Sequence, residues 1–139
     1  MSAPLDHALH LLHKAGNDLI AASATVATGE ALDTVCFHAQ QAAEKSVKAL
    51  LALDDMPYPL THDLGALLTL ALGRWPELEP LARSVAGLTP YAVGARYAVR
   101  KDPSMDEAAE ALATAREVYG LVQGVVAQAP RPAGDDPPG

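Results

Sequence analysis

Residues 30–54 read EALDTVCFHAQQAAEKSVKALLALD. Leu32, Val35, Ala39, Ala42, Ser46, Leu50 and Leu53 recur in steps of three and four, so they fall on one face of an α-helix. At about 1.5 Å per residue, the pattern predicts a helix of roughly 33–37 Å, with Pro57 and Pro59 ending it. A polar stripe runs beside the apolar seam. His38, Gln41, Lys45 and Lys48 follow one another by three, four and three, with Gln40 and Glu44 beside them between Phe37 and Val47.

Upstream, Leu5, Leu12, Leu19 and Val26 repeat every seven residues, with Ala8, Ala15 and Ala22 between them. This predicts a first helix from Pro4 to Thr28, with Gly29 as the joint to the second. Two helices of similar length with a short joint form an antiparallel hairpin. Downstream, Thr61 is read as the cap of a third helix, with Asp63 in its first turn and Gly73 at its end. Pro76 opens a short helix near Glu77–Ala86, and Thr89-Pro90 starts another through Tyr91–Val99. Ser104 and Glu107 have capping-box spacing and begin the last long helix, whose seam is Ala108, Leu112, Ala115, Val118, Val122 and Val126. The fold class expected is all-α: an antiparallel bundle of four to five helices, a long hairpin plus short helices, over residues 4–128. The Pro/Gly-rich stretch 129–139 is expected to be a disordered tail.

The bulk numbers agree with one domain. The chain has 139 residues, half of them apolar, and aromatics make up only 4%. An Ala- and Leu-rich core with few rings favours closely packed helices over a sheet. A net charge of −7 argues against general nucleic-acid binding. The one cysteine, Cys36, excludes an internal disulfide and reads as a small buried hydrophobe on an apolar helix face. The N-terminus lacks a basic start followed by an apolar run, and LGALLTLALG is too short to span a bilayer, so a cytoplasmic location and no membrane are expected.

Four groups of residues are candidates for chemistry. On the second helix, the stripe is either a solvated face braced by a Glu44–Lys48 pair or a set of polar groups at a core edge that need a partner. Arg96, Arg100 and Lys101, with Tyr91 and Tyr97 nearby, carry three of the ten basic residues. Together with Lys45 and Lys48 they would hold a nucleotide, phosphate on Arg and base on a ring. The alternative is a charged helix end that complements the dipole. His7, His10 and His13 fan across roughly 120° of a helix, so three ligands do not converge and no metal site is expected. His62-Asp63 reads as a helix N-terminus, since no nucleophile motif or metal motif accompanies it.

CFHAQQAAEKSVKALL (36–51), then PYPLTHDLGALL (57–68), then GARY (94–97), then an Ala-rich amphipathic helix, resembles the HEPN domain family from about Leu5 to Val126. Phe37, His38, Gln40, Gln41, Glu44, Lys45 and Lys48 fall where that family's helix has its signature, and Thr61-His62-Asp63-Leu64 and Arg96-Tyr97 follow in order. The resemblance implies a compact antiparallel bundle with a long hairpin, often dimeric, commonly paired with a minimal nucleotidyltransferase, and associated with nucleotide binding. Many branches are RNA-cleaving toxins with an Arg followed four to six residues later by His. Here Arg96 stands in the arginine's place, but Lys101, Asp102 and Pro103 occupy the range of the histidine.

The leading expectation is therefore a nucleotide-binding or partner-binding module without its own catalysis, acting with a minimal nucleotidyltransferase as a toxin–antitoxin type pair. Its nucleotide residues would be Arg96, Tyr97, His38, Gln41 and Lys45, with Gln40, Glu44, Lys48, His62 and Asp63 as partner-facing or structural polar groups. No cofactor is expected, and a homodimer is. The alternatives are a ribonuclease using His38 or His62, and a homo-oligomeric structural module.

Overall fold

The heptad seams become two long helices, α1 (Ala3–Val26) and α2 (Leu32–Leu53), in the computed structural model, which describes residues 3–92 and 102–130. Their joint is tight because Gly29 (φ 73°) and Ala31 (φ 52°) both take the left-handed conformation. Ala31 occupies the N-cap of α2 without a side-chain cap, and Thr28 Oγ1 instead ties the turn by accepting from the Glu30 amide at 3.1 Å. At the far end α2 closes in a Schellman motif. The Met56 amide reaches the Leu51 carbonyl at 2.8 Å and the Asp55 amide reaches Ala52 at 3.0 Å, with Asp55 rather than glycine at the left-handed position (φ 53°).

The third helix, α3 (Leu64–Leu72), begins later than the sequence suggests. Asp63 is its cap, accepting from the Gly65 and Ala66 amides at 3.0 and 3.3 Å. Thr61 is not the cap, because its hydroxyl is taken one step earlier, by the Asp63 amide at 3.0 Å. Thr89 also has a different task from the one expected. It does not cap the turn that follows it, where Leu88 occupies the N-cap position. Its Oγ1 accepts from the Leu64 amide at 3.1 Å and so satisfies α3 from a distance in sequence.

The expected helix Glu77–Ala86 splits in two. Pro76–Leu81 is a 3₁₀ helix, and only Ala82–Ala86, α4, is α-helical. Pro80 lies inside the first part, where its missing amide and its ring prevent an α-helical turn. Thr89–Tyr91 is a short 3₁₀ turn, and the remainder of the expected helix to Val99 lies outside the described residues. The last helix, α5 (Met105–Ala127), starts with the full capping box: Ser104 Oγ accepts from the Glu107 amide and Glu107 Oε1 from the Ser104 amide. Ala129 still packs against the core, and residues 131–139, most of the expected tail, lie outside the described residues.

α2 is the centre of the bundle, packed against α1, α3 and α5. Val35, Val47, Leu50 and Leu51 are fully buried on it, each contributing about 1.5–3 kcal/mol of hydrophobic stabilisation. From the other helices Leu5, Leu12, Leu64, Leu67, Val118 and Val122 complete the core. Leu19 and Val26, expected on the seam of α1, are only half-buried. There is no strand among the described residues, and no described helix is long and apolar enough to cross a membrane.

Candidate functional site

The polar stripe of α2 is not a solvated face. Gln40 is fully buried and Glu44 is 4% exposed. The reason is position: with α1, α3 and α5 all packed on α2, few of its directions remain open, and a buried carboxylate then needs its charge and lone pairs satisfied from within.

Glu44 has three partners. Its Oε1 accepts from Gln40 Nε2 at 3.1 Å and from His62 Nδ1 at 2.7 Å, and its Oε2 accepts from Lys48 Nζ at 3.1 Å. Gln40 Nε2 also donates to the His62 carbonyl at 3.3 Å, and Gln40 Oε1 accepts from Gln41 Nε2 at 2.7 Å. Lys48 lies 5.7 Å from the centre of the Tyr58 ring, whose hydroxyl is 3.4 Å from His7 Nε2. Burial pushes the Tyr58 phenol upward from its ordinary pKa. The network thus pins the segment between α2 and α3 along the side of α2. Tyr58, between Pro57 and Pro59, gave no sign of this role in the sequence.

A second network lies toward α1. Asp18, 8% exposed, accepts from His38 Nδ1 at 2.9 Å through Oδ1 and from Lys45 Nζ through Oδ2. The sequence reading missed Asp18, although a signal was there: with Ala15 and Ala22 it follows the steps of three and four that mark the inner face of α1. The Phe37 ring stands edge-on to His38, with centroids 5.3 Å apart.

The two networks share a plan. Each buried carboxylate holds one lysine and one imidazole, so carboxylate and ammonium cancel and no lone charge is buried. Lys45 and Lys48, expected beside a phosphate, each already pair with a carboxylate of the domain. A carboxylate accepts only, so each histidine presents Nδ1–H to it and turns Nε2 away. His62 is the more open of the two, its side chain 56% exposed against 27% for His38.

Arg96 and Tyr97, expected to hold a nucleotide, and Arg100 and Lys101 lie outside the described residues. Asp63 serves as the α3 cap. His7, His10 and His13 are exposed along α1, and no group of three His, Cys, Asp or Glu side chains is placed to hold a metal ion among the described residues. Cys36 is fully buried, and burial pushes its thiol up to about 11 against a smaller opposing effect of Tyr91, as suits a packing residue and not a nucleophile.

A family model described as HEPN domain matches residues 8–125, a span that contains both buried carboxylates with their lysines and histidines, and Arg96. No curated protein matches the chain.

Proposed function

Since the chain belongs to the HEPN domain family, we propose that it is a HEPN-type binding module that docks a partner protein of the minimal nucleotidyltransferase kind, as in a toxin–antitoxin type pair, and has no catalysis of its own. One observation carries this reading. The half-buried strip formed by His38, Gln41, Lys45 and Lys48 is already tied down by Asp18, Gln40 and Glu44. A prearranged polar surface loses little side-chain entropy when a partner covers it. Near neutrality of charge suits a protein surface better than a lone polyphosphate. Nucleotide binding then rests on Arg96 and Tyr97, with His38 and Gln41 as flanking contacts and Lys45 as a positioning group for His38 through their shared carboxylate.

Two titrations test the proposal. In the first, the purified chain is mixed with a minimal nucleotidyltransferase encoded beside its gene and run on size-exclusion chromatography with light scattering. A stable complex is expected, weakened by Gln41→Arg, which places bulk and charge in the middle of the strip. No complex, or one indifferent to Gln41→Arg, refutes docking through this face. In the second, ATP is titrated calorimetrically into wild type and Arg96→Ala. Absence of heat up to millimolar nucleotide removes the nucleotide part.

One observation favours the ribonuclease alternative. His62 has its Nδ1 fixed by buried Glu44 and its Nε2 turned outward, which is the arrangement of an oriented acid–base imidazole. Incubation with total RNA and tRNA decides it: cleavage that His62→Ala abolishes would replace the docking module with an enzyme.

A further inference from the structure

Away from both networks, a cleft of about 350 Å³ opens between α4 and the first half of α5. Its walls carry unlike charges that do not meet. Arg83 stands on the α4 side and Glu110 on α5, and neither has an ion-pair or hydrogen-bond partner among the described residues, whereas Glu107, the other carboxylate in the lining, is engaged in the α5 capping box. Leu88 and Ala111 supply an apolar lining between them, and Tyr91 adds a ring. One turn beyond Glu110, Thr114 also lines the cleft. It is only 8% exposed, yet its hydroxyl has no hydrogen-bond partner among the described residues. The hydroxyl is not shut in, since no buried side-chain oxygen or nitrogen among the described residues lacks a partner, so it is open to the cleft.

We propose that this cleft is a binding site for a small zwitterion whose ammonium and carboxylate are separated by an apolar stem. The ammonium sits between Glu110 and the Thr114 hydroxyl, which accepts from it. The stem lies over Leu88 and Ala111, and the carboxylate reaches Arg83. This accounts together for the unlike charges left apart, the apolar lining between them and the hydroxyl open to the cleft. A simple cation leaves Arg83 without a partner, and a simple anion leaves Glu110 without one.

The probe is ε-aminocaproate, titrated calorimetrically into the full chain, with pentylamine and hexanoate as single-charge controls. Saturable binding is expected with a dissociation constant on the order of 1 mM or below, with each control weaker by about tenfold, the loss of one charge-assisted contact. Glu110→Gln should reduce ε-aminocaproate binding to the level of hexanoate, and Arg83→Ala to that of pentylamine. Thr114→Val should weaken it further than an exposed control, Ala113→Val. Glu110 and Arg83 are exposed, so these two variants leave the core intact, and far-UV circular dichroism verifies each fold. No saturable binding at about 10 mM, far above the expected constant, overturns the proposal. So does binding that Glu110→Gln and Arg83→Ala leave unchanged, or controls that bind as well as the zwitterion.

Discussion

Replacing Glu44 by alanine separates a buried ionic network from a surface ornament. Glu44 accepts from Gln40, Lys48 and His62 with its side chain 5% exposed, and Lys48 is itself only 13% exposed. Removing one partner of a buried pair typically costs about 3–5 kcal/mol, because the other charge stays behind unpaired. Lys48 keeps the face of Tyr58 and some contact with water, and Gln40 keeps the His62 carbonyl. The cost therefore belongs near the lower end, about 3 kcal/mol. For a chain with overall stability of roughly 5–15 kcal/mol, this is a large fraction, and the midpoint of thermal unfolding falls by about 10 °C. Urea titration followed by circular dichroism should show a lower midpoint at unchanged slope. Glu44→Gln, which keeps volume and one acceptor, should cost only about 1–2 kcal/mol. In a double-mutant cycle, Glu44→Leu with Lys48→Met should be less destabilising than Glu44→Leu alone, since no charge is then stranded. A loss below about 1 kcal/mol for Glu44→Ala, the scale of an exposed ion pair, refutes the reasoning.

Thr89→Ala should destabilise by about 1 kcal/mol, as for a helix cap, because the Leu64 amide loses its acceptor; an effect near zero in urea denaturation rules that out. Asp55→Gly should stabilise by roughly 0.5–1 kcal/mol, relieving the left-handed strain in the Schellman motif, and thermal unfolding reads the gain. Gly120→Ala should add a similar amount, since a Cβ there meets nothing within 4 Å; a drop in midpoint contradicts the open helix surface. Cys36 predicts an alkaline effect. Its thiol ionises at about 11 when folded, against 9.0 for an ordinary thiol, so from pH 9 upward the unfolded chain holds fewer protons and stability falls until pH 11. Cys36→Ala should flatten that part of the pH profile relative to wild type, and parallel profiles would show that the thiol is not responsible.

The bundle was legible in the sequence because its information is local. Heptad spacing, Gly29, the paired prolines after Asp54 and the Ser104–Glu107 box each act within a few residues, and the hairpin and α5 follow from them. What was not legible depends on contacts made at long range. Thr89 looks like a cap for its own turn until α3 comes within reach, and Thr61 and Asp63 compete for one role that only the path of the chain decides. The stripe was found but its burial was not, because a helix packed by three neighbours keeps few open directions, whatever its pattern suggests. Asp18 was overlooked for a related reason: an acid on an apolar seam has meaning only once the lysine and histidine opposite it are known.

Alanine is prominent among the buried residues of both hairpin helices: Ala8, Ala15 and Ala22 on α1, and Ala39, Ala42, Ala43 and Ala49 on α2. Such surfaces are smooth. A helix can slide by a turn or roll about its axis against them with little change in contact area, because no large knob must leave its hole. Asp18 removes that freedom. It grips α2 at His38 and Lys45, two positions seven residues apart on the same edge of the helix, so a slip of one turn leaves one grip empty and a roll breaks both. The acid acts as an index pin that chooses one register from several the alanines would accept, as single polar residues do in coiled coils. Replacing Asp18, His38 and Lys45 together with apolar residues of similar size should then leave a helical, stable chain whose hairpin no longer has a single alignment.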